Sequence, residues 1–208
     1  MNILRKPFKY KFFNITLILI CINLIFFFFT YIFPSLRIYL GMSLLGLRLH
    51  FYWQPITYMF VHSGWSHIIF NMLALFMFGI QIERTIGSWE FLLFYMICGI
   101  LDGIISIILY QLLGYNTLLM GASGAIYAIL LLYAVIFPRN KIFIWGIIPV
   151  SAPVLVAVYA VIEFVSQMFG RDNVAHLSHL SGFVLAWLYL LIRMGINPIR
   201  VWKNAYGK

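Results

Sequence analysis

The chain has 208 residues, 64% of them apolar and only 9% charged, with a formal net charge of +9. Soluble domains carry about 25% charged residues, so this surface cannot be covered in water and most of it must face lipid. A basic excess in such a chain reads as membrane topology and contact with anionic lipid, not as a nucleic-acid surface.

A helix that crosses a bilayer needs about 20 mostly apolar residues, and six stretches meet that need. The first, 12–33, follows Arg5, Lys6, Lys9 and Lys11, which places the N-terminus in the cytoplasm. Its apolar run is too long for a cleavable signal and no small-residue cleavage site follows, so it is expected to remain as a span. Residues 34–66 form an outer loop far longer than the other connections, rich in aromatics such as Trp53, Tyr58 and Trp65 and broken by Gly41, Gly46 and Pro55. Aromatics with occasional charge suit the lipid–water interface, and loops of this length are more often functional than passive.

Further spans are expected over 67–82, 91–113, 118–137, 150–169 and 177–196. Pro149 and Pro153 mark the start of the fifth, since proline is tolerated in a first helical turn. Six spans return the C-terminus to the cytoplasm, where Arg193, Arg200, Lys203 and Lys208 lie. Only Arg37, Arg48 and Arg171 of the 14 lysines and arginines fall on the outer side. The expected fold is an all-α bundle of six transmembrane helices, one domain over 1–208 with both termini cytoplasmic. Cys21 and Cys98 fall within spans, which argues against a disulfide framework. No organelle presequence is evident, and a bacterial plasma (inner) membrane is the expected location.

Polar groups inside spans are expensive, so each asks for a partner or a purpose. His67 and Asn71 open the second span, Ser123 lies in the fourth, and His176 and His179 open the sixth. Spans two, four and six all run from outside to inside, and these residues sit within one or two turns of the outer ends. At about 1.5 Å per residue they share one depth, with Asn71 one turn below His67 on the same face. Asp102 is expected nearer mid-span and Glu163 on the inner half of span five, so no acid is placed at this depth.

Around the serine the chain reads Gly121-Ala122-Ser123-Gly124-Ala125, and Ser178, Gly182 and Ala186 form a small-residue stripe below the histidines. Such stripes let membrane helices approach backbone to backbone, which a Ser–His contact between helices requires. Tyr127, four residues after Ser123, is placed to pack its ring on the imidazole. A serine hydroxyl becomes a nucleophile when an adjacent base takes its proton, and His179 is the candidate base. The oxyanion then needs donors, which His67, the Asn71 side chain and the Ser123 N–H can supply. His176 and His179 alone suggest a metal pair, but no third ligand pattern accompanies them, so neither metal nor cofactor is expected.

At these residues the sequence resembles the rhomboid family, in its minimal six-helix form. The matching pieces are His67-x-x-x-Asn71, Glu83-Arg84, Gly121-Ala-Ser123-Gly124 with Tyr127, and Ala175-His176-Leu-Ser-His179-Leu-Ser-Gly182. The resemblance implies a serine protease that cuts transmembrane segments of other proteins within the lipid bilayer, without metal or cofactor. It makes Ser123 the nucleophile, His179 the base, and His67 and Asn71 the oxyanion donors, with Tyr127, Gly121 and Gly182 in support. Two positions depart from the pattern: Gln54 follows Trp53 where arginine is common, and Ala186 replaces a second glycine. The alternatives are a small proton-coupled transporter using Asp102 and Glu163, or a non-catalytic relative that binds membrane clients. Hydrolysis needs water, so the polar cluster is expected to open outward between spans two, four and six, with span five or the outer loop as the moving element.

Overall fold

The computed structural model describes residues 5–144, 146–169 and 175–207; Arg171 and Lys208 of the topology argument lie outside the described residues. Five helices are long and apolar enough to cross a membrane: α1 (Ile15–Ile32), the rod Trp65–Ile86, α7 (Ser88–Leu112), α9 (Ala152–Phe169) and the rod His176–Met194. The second rod joins α5 (Trp65–Ala74) to α6 (Ile80–Ile86) through one π turn, and the last is α10 (His176–Tyr189) with a π turn at its end. A shorter apolar helix, α8 (Ser123–Ile136), is buried on nearly every side. The protein is an integral, multi-pass membrane protein.

Lipid offers no hydrogen-bond partners, so buried polar groups must be satisfied within the protein. Glu83 does this at the start of α1. Its carboxylate accepts from the Ile15 and Thr16 backbone N–H groups at 2.7 and 2.9 Å, from the Thr16 hydroxyl at 2.7 Å, and from the Ser88 hydroxyl. An anion at a helix N-terminus also meets the positive end of the helix dipole. The first span therefore begins at Ile15, later than the apolar run at 12 implies, after Asn14 in a left-handed conformation. Glu90 ties α7 to α10 by accepting from the Tyr189 hydroxyl at 2.6 Å and from Arg193 at 2.7 and 3.0 Å.

The long outer loop folds into α2 (Ser35–Leu40), α3 (Leu44–Arg48) and α4 (Gln54–Thr57), closed by a 3-10 turn at Tyr58–Phe60. Gln54 is fully buried and staples it: its carbonyl accepts from Ser43 N–H at 3.1 Å, and its amide donates to the Ile38 and Tyr39 carbonyls at 3.3 Å. A side chain at Gly46 would occupy the space of that amide. The loop reaches the serine through backbone. Met42 and Leu119 exchange hydrogen bonds of 2.9 and 2.8 Å, and Gly121 N–H donates to the Tyr58 carbonyl at 2.9 Å. Residues 118–120 are thus held out of the helix, Gly121 makes the turn, and the fourth helix starts at Ser123 rather than at 118.

The fifth helix also starts later than its apolar run. Residues Lys141–Ile144 (β1) and Ile148–Ser151 (β2) pair antiparallel, Lys141 opposite Ser151 and Phe143 opposite Pro149. Pro149 belongs to the hairpin, and Pro153 stands in the first turn of α9 as expected. An unbroken apolar run has no period that separates strand from helix, which is why the hairpin escaped the sequence. After the last rod, Asn197 caps α11 (Pro198–Tyr206) by accepting from Arg200 N–H at 3.2 Å, and Trp202 donates to the Ala134 carbonyl at 2.9 Å.

Replacing Glu83 with alanine strands two backbone donors and two hydroxyls, and should destabilise the protein by about 3 kcal/mol. Glu83→Gln, which keeps one acceptor oxygen, should fall between. Thermal unfolding in detergent micelles measures both, and an unchanged midpoint for Glu83→Ala would contradict the capping role.

Candidate active site

Ser123 is the first residue of α8 and is half-buried. Gly121, two residues earlier, has a φ of 117°, and a Cβ there would lie 2.6 Å from Cε1 and Nε2 of His67. Only glycine tolerates both demands. The His67 ring thereby rests against the turn that leads to Ser123, oriented by a 3.0 Å contact of its Nδ1 with the Ser63 hydroxyl. Asn71, one turn on, donates to the His67 carbonyl at 2.8 Å, which leaves its second amide hydrogen available.

His179 comes from the first turn of α10. The Tyr127 ring lies flat on it, with centroids 4.2 Å apart and planes 6° from parallel. A methyl group at Gly182 would overlap the carbonyl oxygen of Gly124, so α8 and α10 meet backbone to backbone there. Behind this contact Asp102 of α7 takes the space a Gly124 side chain would need. Its carboxylate accepts from the Ser178 hydroxyl at 2.5 Å, from Ser181, and from the Tyr58 hydroxyl at 3.4 Å. Tyr58 also donates to the Gly99 carbonyl at 2.5 Å. Burial, with the Asp102 charge adding to it, pushes the Tyr58 hydroxyl well above its ordinary range, so it remains a donor. Ala186 is fully buried against the same stripe, so its methyl is accommodated where the family pattern has glycine.

The expectation for Glu163 needs correction. Its Oε2 lies 2.5 Å from His176 Nδ1, its Oε1 lies 3.0 Å from His179 Nδ1, and Oε1 accepts from the Tyr127 hydroxyl. The approach to His179 is too oblique to form a hydrogen bond. The sequence reading placed Glu163 on the inner half of its helix. But α9 runs opposite to α8 and α10, so its C-terminal part adjoins the start of α10. The same geometry removes the premise that the two histidines lack a third metal-ligand partner. Ligand atoms of Glu163, His176 and His179 all lie within 4.8 Å of one another.

His67, Asn71, Ser123, Tyr127, His176 and His179 all line one cavity of about 1260 Å³, which also takes in Leu155 and Tyr159 of α9 and reaches Ile142 and Ile144 of the hairpin. Among the described residues no hydrogen bond joins Ser123 to His179. In enzymes free of substrate such bonds are often long and tighten only in the bound complex. The arrangement offers a hydroxyl at a helix N-terminus, an oriented imidazole on the neighbouring helix, and polar donors on a third.

The rhomboid domain family matches residues 50–195, a stretch that contains every residue of this site. The chain belongs to the rhomboid family. It is 28% identical over 151 residues to the "Rhomboid protease GlpG" of Haemophilus influenzae, spanning 71% of this chain and 73% of that protein. It is 30% identical over 150 residues to the "Putative rhomboid protease YdcA" of Bacillus subtilis, spanning 69% and 70%. A third relative, the "Rhomboid protease GluP" of Bacillus subtilis, is 34% identical over 133 residues, which cover 63% of this chain and 24% of that protein.

This rhomboid protein has a further histidine, His62, in the outer loop just before α5. It is fully buried, its ring meets His67 edge-on at 5.0 Å, and neither ring nitrogen has a well-formed hydrogen bond. Burial, and next the charge His67 would carry, push its pKa down to about 3. The unfolded chain therefore binds a proton that the folded one refuses. The stability is fully present above about pH 6.5 and is lost as pH falls toward the folded value. Unfolding midpoints measured in micelles between pH 7 and 5 should decline more steeply for the wild type than for His62→Phe; equal slopes would rule this out. Separately, Gly182→Ala should cost about 2 kcal/mol through overpacking and should lower the unfolding midpoint in micelles more than Ala186→Gly does, because only the first forces α8 and α10 apart.

Proposed function

We propose that this chain is an intramembrane serine endopeptidase that hydrolyses peptide bonds in or near transmembrane segments of other membrane proteins. Ser123 is the nucleophile, His179 the general base, and His67, Asn71 and the Ser123 N–H the oxyanion donors. Tyr127 holds the imidazole plane, and Gly121 and Gly182 permit the close approaches. The observation that carries this reading is the single cavity on which Ser123, the Tyr127-stacked His179, His67 and Asn71 converge.

His179 takes the Ser123 proton as Oγ attacks the scissile carbonyl. The carbonyl electron pair moves onto oxygen, where the donors meet it. His179 then gives its proton to the leaving amine as the C–N bond breaks; water, deprotonated by His179, attacks the acyl-enzyme, and the proton returns to Ser123 Oγ as the acid product leaves. In this reading 1–208 is one domain of six spans with both termini cytoplasmic, and α8 joins the five longer helices as the fourth span in chain order. Its 14 residues reach about 21 Å, less than the hydrocarbon core of about 30 Å. Ser123 therefore sits below the outer surface, in a cavity that carries water to it. The cavity also runs between α5 and α9, a seam through which a substrate helix can enter from lipid. An intact helix shields its carbonyls, so small or helix-destabilising residues near the cut should favour cleavage.

Asp102 and Glu163 raised the transporter reading. Each carboxylate already has partners on neighbouring helices, which accounts for its presence without an ion pathway. A fluorophosphonate probe tests the proposal on the purified chain in micelles. Wild type should be labelled and Ser123→Ala should not, and cleavage of a single-span reporter protein should fall about a million-fold in Ser123→Ala and His179→Ala. Well-folded wild type that resists labelling would instead favour a non-catalytic client-binding protein.

A further inference from the structure

Resting on the protease reading, we propose that Glu163 is the positioning residue that turns the Ser123/His179 pair into a triad, holding the imidazole of His179 from span five. Three contacts argue for it. Oε1 stands 3.0 Å from His179 Nδ1, Oε2 binds His176 Nδ1 at 2.5 Å, and the Tyr127 hydroxyl donates to Oε1. The carboxylate is thus fixed from two sides, by a histidine three residues from His179 and by the tyrosine whose ring lies flat on His179. It is among the few buried polar groups of α9, a helix that otherwise turns mostly apolar surface outward.

A carboxylate at Nδ1 does two things for a general base. It selects the tautomer with hydrogen on Nδ1, which leaves the Nε2 lone pair for the serine proton. It also meets the positive charge that appears when Nε2 takes that proton. The oblique approach in the resting site is the looseness expected before substrate arrives. As the Ser123 proton moves to Nε2 and Oγ bonds to the carbonyl carbon, the imidazolium lies beside Glu163. The charge is released when the proton passes to the departing nitrogen.

The same three side chains offer a metal-ligand set. Donor atoms around a tetrahedral zinc stand about 3.3 Å apart, whereas Glu163 and His176 are in direct hydrogen-bond contact.

The test uses the full chain in phosphatidylethanolamine–phosphatidylglycerol liposomes, with a fluorophosphonate and a single-span reporter as probes. Glu163→Gln should lower kcat and the rate of Ser123 labelling about 100-fold, the cost of a misplaced catalytic group, while KM stays within about twofold. Glu163→Asp should recover part of the loss. In the wild type, histidine nitrogen-15 spectra should show His179 with its hydrogen on Nδ1, a readout that needs no variant to fold. An unchanged or faster Glu163→Gln, or a His179 tautomer with hydrogen on Nε2, would overturn the proposal. So would activity that a chelator abolishes and zinc restores. Wild type that the probe does not label would instead count against the protease reading itself.

Discussion

Where α8 meets α10, the carbonyl oxygen of Gly124 rests against the Cα of Gly182 with no side chain between them, and Asp102 fills the space behind Gly124. In lipid no hydrophobic drive holds one apolar helix to another, so packing and interhelical hydrogen bonds must do so. This junction supplies both. The bare backbones allow the helices to touch, and the Asp102 carboxylate binds two hydroxyls of α10 and one from the outer loop. Ser123 lies one residue from Gly124 and His179 three residues from Gly182, so the junction fixes the separation of the two groups. The stacking of Tyr127 on His179 follows from the same approach.

The other buried acids repeat the pattern at different joints. Glu83 binds α1 to the turn between α6 and α7, and Glu90 binds α7 to the end of α10. Glu163 binds α9 to α8 and α10. Each carboxylate accepts several hydrogen bonds, because leaving one unsatisfied away from water costs more than the contact itself returns. Directional contacts of this kind choose one helix arrangement where apolar surfaces alone would tolerate many.

Much of this was legible in the sequence. The six apolar runs, the loop, and the convergence of His67, Asn71, Ser123 and His179 all follow from hydropathy, charge bias and helix direction. The start of α8 was not, because residues 118–121 are held out of the helix by backbone bonds to Met42 and Tyr58, and such bonds leave no mark on side-chain identity. The hairpin at 141–151 was hidden for the related reason that its apolar run has no period. Gln54 looked like a departure of unknown effect, and its role appears only once the carbonyls it caps are in place. Glu163 is a different case. The sequence contained the answer, since consecutive spans alternate in direction and residue 163, late in one span, must then lie level with the start of the next. Reading its direction correctly puts an acid beside the histidines.

That placement links the site to the helix least embedded in the protein. Of the five long spans among the described residues, α9 buries the smallest share of its surface, and Glu163 is the buried residue of its C-terminal half. On the protease and positioning readings proposed above, a substrate helix entering between α5 and α9 must displace α9 to some degree, and any outward shift of its outer half draws the carboxylate away from His179. The base would then be least supported while the seam is open and fully supported once α9 is seated again. Entry and bond cleavage are in that case successive states of one helix, because the same carboxylate that holds α9 in place also holds His179.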